Sequence, residues 1–235
     1  MTFFSAGAAQ PPASFTVKDR LAQYGESARA RLSPHFEAAG LAYPPKRIRL
    51  VGFKNEKALQ LFVVDRDGQW AFVRDYPILA ASGQSGPKLQ QGDLQVPEGF
   101  YRISLLNPNS RFHLSMRVNY PNEFDRARAA DEGRSSLGGD IMIHGGAASI
   151  GCVAIGDSAI EELFTLAADT GISNIDVILS PVDFRTSSLP ATETELRYGW
   201  ITKLYGELSD SLMTLPLPHP VSLKLPSVAP NTTPR

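Results

Sequence analysis

The sequence predicts a mainly β fold of the α+β class, with helical additions at both ends of one domain. From residue 48 to residue 179 the chain is punctuated by Gly, Pro and Asn, and its apolar runs have the length of strands. Only one segment within this region has the apolar spacing of a helix. The 235 residues, 43% hydrophobic and 20% charged, are enough for one sizeable core with terminal additions.

The N-terminal 45 residues predict a tail followed by a helical extension. Residues 1–16 are rich in Ala, Gly and Pro, a composition typical of a disordered segment. Residues 17–45 begin with apolar side chains at helical spacing from Val17 to Leu32. Ser33 and Pro34 then indicate the start of a second, short helix, which Gly40 should end.

The domain itself is predicted over residues 46–182. Its candidate strands cover residues 49–51, 58–65, 70–77, 99–106, 113–118, 139–143 and 176–180. Asp65 to Gly68 has the composition of a hairpin turn. Asp157 and Ser158 should cap a helix that ends before Gly171. We expect that helix to bury one stripe of side chains: Ile160, Leu163, Phe164 and Ala167.

Beyond the domain, residues 183–215 predict a linker and a C-terminal helix. The helix is indicated by apolar residues at helical spacing: Leu196, Trp200, Leu204, Leu208 and Leu212. Residues 216–235 are rich in proline, which predicts an extended or disordered tail.

Charge and cysteine content exclude several classes of partner and site. The chain carries 23 Lys and Arg against 24 Asp and Glu, so its net charge of −1 gives no bulk attraction to nucleic acid or an anionic membrane. One cysteine cannot form an intramolecular disulfide or a multi-cysteine zinc site. We therefore expect no nucleic-acid partner, no metal and no cofactor.

The N-terminus leaves two interpretations open. No run of 18 apolar residues occurs, so no transmembrane segment is predicted. The first residues lack the basic start and continuous apolar region of a signal peptide, yet Ala6, Gly7 and Ala8 resemble the small residues of a cleavage site. A truncated export signal and a disordered tail both fit this pattern.

The only cysteine, Cys152, follows His144 by eight residues in a glycine-rich segment. A lone cysteine is more often a small buried apolar residue than a nucleophile. Here, however, an apolar run ends at His144, Gly145 keeps the approach open, and Gly151 permits a tight elbow. Such an elbow would leave the amides of Gly151 and Cys152 free to face an oxyanion. We predict Cys152 as nucleophile and His144 as the base that lowers its pKa.

Several other blocks of the chain support this prediction through a family resemblance. The segment from His144 to Cys152 resembles the L,D-transpeptidase catalytic domain (YkuD) family, cysteine enzymes that act on bacterial peptidoglycan. Residues 53–57, 82–88, 91–101, 106–110, 112–115 and 119–122 are similar to its YafK-like branch. The resemblance spans about residues 46–182. It implies a β-sandwich-like domain, export to the periplasm or cell envelope, and a Gly145 carbonyl that orients His144.

The resemblance also implies an activity: acyl transfer on peptidoglycan stem peptides through a thioester, without a cofactor. Ile150 and Ala154 stand where most members have a histidine and an arginine, which puts the usual donor and acceptor preferences in doubt. The YafK-like branch implies hydrolytic release of a wall-linked lipoprotein from diaminopimelate. The alternative is an L,D-transpeptidase that forms 3–3 cross-links or attaches proteins. A silent peptidoglycan-binding protein is the competing class, although both Cys152 and His144 are present.

Four further residues are candidates for substrate contact. Ser149 lies in the elbow, where its hydroxyl stabilises the turn or contacts substrate. His113 falls on the strand face opposite Phe112, so it contacts substrate only if that face lines a cleft. Residues 119–133 show no strand or long helix pattern and are predicted to form one wall of the site. Tyr120 and Asn122 are the substrate-facing candidates of that wall.

Overall fold

The computed structural model describes residues 14–189 and 197–218, and its nine strands form one continuous sheet. The predictions for residues 1–13 and 219–235, and for the start of the C-terminal helix, lie outside the described residues. The strands are β1 (Ile48–Phe53), β2 (Ala58–Val64), β3 (Trp70–Pro77), β4 (Ala80–Ala81), β5 (Gly99–Ser110), β6 (His113–Val118), β7 (Met142–His144), β8 (Val153–Ala154) and β9 (Ile175–Ser180).

The strand order is β3-β2-β1-β9-β5-β6-β7-β8-β4, and β5 joins two halves of the sheet. Residues 99–102 of β5 pair with β9, whereas the rest of the strand pairs with β6 across two register shifts. Most neighbours are antiparallel; β1 with β9 and β7 with β8 are the parallel pairs. The seven predicted strands are all present, whereas the two-residue strands β4 and β8 were too short to be detected from periodicity.

Within the described residues, four helices surround the sheet: α1 (Val17–Ala38), α2 (Glu123–Asp131), α3 (Asp157–Thr170) and α4 (Trp200–Met213). A 3-10 turn over Ile172–Asn174 follows α3. The mainly β prediction of the α+β class is confirmed. Among the helices that the structure describes, none is long and apolar enough to cross a membrane.

The structure corrects three of the predicted helix boundaries. The N-terminal extension is one helix that continues through Pro34, because Leu32 and Phe36 on either side of it are both buried in the core. Residues 119–133 contain helix α2, which has almost no apolar stripe and therefore no helical pattern. Helix α3 starts at Gly156 without a side-chain cap, since the carboxylate of Asp157 instead accepts a hydrogen bond from the amide of Gly146.

Two apolar clusters cover the two faces of the sheet. The larger cluster joins α1 and α3 to both halves of the sheet, and it includes the predicted stripe of Ile160, Leu163, Phe164 and Ala167. The smaller cluster packs α4 onto the opposite face of β1, β2 and β9. Its sheet residues are Val51, Phe53, Phe62 and Ile178. The half of the sheet with β1 and β9 is therefore enclosed on both sides.

Candidate active site

The parallel pairing of β7 with β8 places His144 in one strand and Cys152 directly before the neighbouring strand of the sheet. Ile143 pairs with Val153, and both side chains are buried in the core. Because side chains alternate along a strand, His144 projects to the other face, and Cys152 lies beside Met142 just before β8 begins. The amide of Met142 donates a hydrogen bond to Sγ of Cys152 at 3.4 Å.

A groove of about 400 Å³ opens beside the half-buried Cys152. We call it the Cys152 groove; residues 88–94, 138–141 and 150–152 line it. Ile150 lies on its rim and is 79% exposed. Three separate segments of the chain therefore wall the groove. Residues 119–133 are not among its lining residues.

His144 is buried, with 2% of its surface exposed. Its Nδ1 lies 2.6 Å from the carbonyl oxygen of Gly145, the contact that the family resemblance implied. Since a carbonyl only accepts, Nδ1 carries the proton and Nε2 is left as the basic nitrogen. The ring of Phe112 stacks on the imidazole with centroids 4.5 Å apart. Burial lowers the pKa of His144, and the Gly145 hydrogen bond only partly opposes this.

The pKa of Cys152 is raised, which reverses the prediction of a lowered value. Burial is the main cause; the Met142 amide opposes it, and the negative charge of Asp140 adds to it. Within the described residues, Sγ hydrogen-bonds the Met142 amide and, at 3.7 Å, the carbonyl of Asp140, rather than the imidazole of His144. The resting site therefore holds a neutral thiol and a neutral imidazole instead of an ion pair.

The elbow before Cys152 is closed by two serine hydroxyls. Ser149 Oγ accepts from the amide of Cys152 at 3.0 Å and donates to the carbonyl of the same residue at 2.7 Å. Ser82 Oγ accepts from the amide of Gly151 at 2.6 Å and donates to the Leu94 carbonyl. The expectation that both amides are free is thus wrong for the resting site. An oxyanion role requires a substrate oxygen to displace a hydroxyl.

Gly145 and Gly146 are needed for the close approach of three segments at His144. A Cβ on Gly145 would lie 2.5 Å from Oδ1 of Asp157 and 2.7 Å from the carbonyl oxygen of Phe112. Gly146 has a φ of +68° and donates its amide hydrogen to Asp157 at 2.7 Å. Glycine at these positions therefore allows the loop to bring the Gly145 carbonyl onto the imidazole.

None of the four predicted substrate-binding residues is among those that line the Cys152 groove; Ser149 closes the elbow, and the other three make contacts elsewhere. Nε2 of His113 is 2.9 Å from Glu161 of α3, because a φ of +70° breaks the side-chain alternation that the prediction assumed. Tyr120 is buried, and its hydroxyl bonds the carbonyls of Lys88 and Leu137. Asn122 is the N-cap of α2 and accepts from the amide of Asp125. All three make structural contacts.

Two site residues were missed or misplaced by the sequence reasoning. Phe112 was only placed on the strand face opposite His113 and given no role in the site, yet its ring, 45% exposed, stacks on His144. Ser82 lies 69 residues from its partner Gly151, a separation at which no local pattern signals the contact. For metals, the described part of the chain contains no group of three or more His, Cys, Asp or Glu arranged to hold an ion.

Comparisons with curated proteins identify relatives of this chain. The chain is 39% identical over 114 residues to YafK from Escherichia coli K12 and to YafK from E. coli O157:H7. The match covers 48% of this chain and 44% of each relative, so the chain spans less than half the length of these curated proteins.

Two solved structures resemble the chain more distantly. The helical cell shape determining protein Pgp2 from Campylobacter jejuni is 20% identical with a TM-score of 0.49, covering 66% of this chain and 53% of that chain. Bd1075 from Bdellovibrio bacteriovorus is 19% identical with a TM-score of 0.44, covering 70% of this chain and 58% of that chain.

The family assignment rests on a match over the domain itself. A family model described as the L,D-transpeptidase catalytic domain, YkuD, matches residues 53–179, more than half of the 235 residues. The matched range lies inside the predicted domain and contains both Cys152 and His144. The resemblance predicted from the sequence is therefore confirmed, and the chain belongs to the L,D-transpeptidase catalytic domain family.

Proposed function

We propose that this chain catalyses cysteine-dependent acyl transfer on bacterial peptidoglycan peptides, with Cys152 as nucleophile and His144 as base. The observation that carries the proposal is the β7–β8 pairing: it puts His144 on the strand next to the one that follows Cys152, whose thiol lies on a groove. The Gly145 carbonyl holds the imidazole with Nε2 as its free basic nitrogen. Membership in the L,D-transpeptidase family supports both the reaction type and the substrate class.

The reaction proceeds in two steps. Rotation about the Cα–Cβ bond turns Sγ of Cys152 from the Asp140 carbonyl toward Nε2 of His144, which takes the thiol proton. The thiolate then attacks an amide carbonyl carbon, and the C–N bond breaks as the imidazolium returns its proton to the leaving amine. Water or a second amine attacks the thioester, loses a proton to His144 and releases the thiol.

We further propose that water resolves the thioester, so that the enzyme hydrolyses the amide between a lipoprotein and diaminopimelate. A transpeptidase has to bind a second peptide amine, whereas a hydrolase needs only an ordered water. Ala154 stands in place of the usual arginine, and it is fully buried in β8 between Ala80 and His144, so this position offers no charged group to a second peptide. L,D-transpeptidation is the second candidate. Either substrate lies outside the cytoplasmic membrane, which implies export to the periplasm or cell envelope.

The test is product analysis by mass spectrometry with two substrates. Muropeptides that carry the terminal residues of a lipoprotein and plain tetrapeptide muropeptides are incubated separately with the wild type and with Cys152→Ser and His144→Ala. We expect release of the attached residues by the wild type and by the control variant but not by Cys152→Ser or His144→Ala, because an unactivated hydroxyl is a far weaker nucleophile than a thiolate. His35→Ala is the matched control, since His35 lies in α1 away from the groove.

Each outcome separates the candidate functions. Cross-linked dimers without release of the attached residues would replace the hydrolase by a transpeptidase. Full activity of Cys152→Ser would exclude the cysteine mechanism altogether. If the wild type forms no product and no covalent adduct with a carbapenem, the remaining interpretation is a peptidoglycan-binding protein without catalytic activity.

A further inference from the structure

One wall of the Cys152 groove is a long loop that depends on buried polar contacts. Residues 82–98 connect β4 to β5, and we call this loop the groove wall. Its residues Lys88, Gln91 and Leu94 line the groove, and its Ser82 bonds the amide of Gly151. The position of the groove wall therefore determines the width of the groove opposite Cys152.

Lys54, which directly follows β1, holds the groove wall in place through hydrogen bonds from its ammonium group. Its side chain is 8% exposed. Its Nζ donates to the carbonyls of Gly86 and Val96 at 3.0 and 3.1 Å and to the side chain of Gln95 at 3.3 Å. The same ammonium group forms an ion pair with Glu98 at 2.9 Å. One cation thus holds both the start and the end of the loop.

Glu98 is the fully buried partner that completes this arrangement. Its Oε1 accepts from Lys54 and from the amide of Gly86, both at 2.9 Å. Its Oε2 accepts from the hydroxyl of Tyr205 at 2.7 Å. Tyr205 belongs to α4, which lies beyond residues 53–179, the range that the family model matches. A helix outside the matched domain therefore contacts the carboxylate that orders the groove wall.

We propose that Tyr205 is a positioning residue for the active site, acting through Glu98 and Lys54 on the groove wall. The catalytic consequence rests on the proposed function; the structural consequence does not. When a buried carboxylate loses a hydrogen-bond donor, one of its oxygens is left without a partner, which costs free energy. The carboxylate therefore reorients toward other donors. Because Glu98 also holds Lys54 and Gly86, its movement releases the loop, whereas Cys152 stays in place between β7 and β8.

The test compares two tyrosine variants that remove the same chemical group. Tyr205→Phe keeps the ring, which packs against Phe184, and removes only the hydroxyl. Tyr76→Phe is the matched control, since its buried hydroxyl bonds the buried Glu162 at 3.0 Å on the side of the sheet that faces α3. Hydrogen exchange followed by mass spectrometry measures the exchange rates of the backbone amides of residues 84–96. Steady-state kinetics with the muropeptide substrate measure KM and kcat.

We expect Tyr205→Phe to accelerate exchange in the groove wall and to raise KM about tenfold, the effect of losing one charge-assisted hydrogen bond. The value of kcat should change much less, because the nucleophile is held by other strands. Tyr76→Phe should leave exchange in the groove wall and KM at wild-type values. Wild-type exchange in Tyr205→Phe, or equal acceleration in both variants, would overturn the inference.

The hydrogen-exchange measurement tests the role of Tyr205 even if the wild type turns over no substrate. In that case the proposed function fails, while faster exchange confined to residues 84–96 still supports the role of Tyr205. If Tyr205→Phe does not fold, Glu98→Gln replaces it, with Glu162→Gln as its control. Glu98→Gln removes the charge that faces Lys54, and unchanged exchange in the groove wall would again overturn the inference.

Discussion

At the scale of single residues, the resting site holds Cys152 and His144 in their neutral forms. Burial raises the pKa of the thiol and lowers the pKa of the imidazole, so both shifts oppose a thiolate–imidazolium pair. The thiol hydrogen-bonds backbone groups of Met142 and Asp140 instead of the ring. In the proposed mechanism, deprotonation is therefore coupled to substrate binding, when Sγ turns toward Nε2.

This resting state predicts the pH dependence of thiol alkylation. The rate of reaction of Cys152 with iodoacetamide should rise with pH through one inflection above the ordinary thiol pKa of about 8.5. Below that inflection the thiolate fraction, and with it the rate, falls tenfold per pH unit. Intact-mass spectrometry from pH 6 to 10 measures the rate directly, because Cys152 is the only cysteine. A reactive plateau near pH 6 would instead show a preformed ion pair.

At the scale of elements, the β5–β6 hairpin supplies the cover of the base. Its tip carries Phe112, whose half-exposed ring stacks on the buried His144. β6 also pairs with β7 through Ser115 and His144, so the same hairpin both holds the strand and covers the ring. The microenvironment of the base is thus set by one local unit of structure.

Phe112→Ala should raise the pKa of His144 toward the ordinary imidazole value of about 6.5, because burial is the main cause of its depression. A higher pKa protonates more of the base in mild acid, so the acid limb of the kcat/KM profile should move to higher pH. Histidine NMR titration measures the pKa. The control is Phe124→Ala, whose similarly exposed ring packs on Trp200. An unchanged titration would mean that Phe112 does not desolvate the base.

At the scale of the whole molecule, ion pairs fasten the N-terminal helix to the catalytic domain. Arg29 of α1 donates two hydrogen bonds of 2.7 Å to Asp169 of α3, and the hydroxyl of Tyr43 adds a third of 2.6 Å. Burial raises the pKa of Asp169, but the hydrogen bonds from Arg29 and Tyr43 outweigh it and leave the pKa lowered. The carboxylate therefore contributes stability in its ionised form.

Asp169→Asn should lower the free energy of unfolding at pH 7 by about 1 kcal/mol, since Arg29 is partly exposed and its bonds are screened. A lowered native pKa gives stability that is present above the unfolded value of about 3.9 and lost as pH falls through the native value. The difference in the free energy of unfolding between Asp169→Asn and the wild type should thus become smaller at acid pH. Calorimetry at pH 7 and pH 3 measures it, with Asp131→Asn, an exposed pair with Arg128, as control. A difference that persists at pH 3 would contradict the assignment.

The sequence was informative where structure is set by neighbours along the chain. Long strands, α3 and the hairpin at Asp65 follow from local periodicity and turn chemistry, and His144 and Cys152 follow from a local motif. The positions of the other residues depend on tertiary contacts, which the periodicity of the sequence does not encode. Tyr120 faces two distant carbonyls, and Tyr205 reaches Glu98 across 107 residues. The capping box of α2, from Asn122 to Asp125, was the one local signal available for that helix.

The packing of α4 has a consequence for how the protein can be divided. This helix covers an apolar sheet face that includes Val51, Phe53 and Phe62, all in strands of the family domain. A fragment trimmed at the end of the matched range would present that face to solvent, and patches of this kind drive aggregation. We expect expression of residues 14–180 to give insoluble protein and residues 14–218 to give a monodisperse species on gel filtration. The smallest part of this protein that folds on its own is therefore longer than the segment that the family model matches.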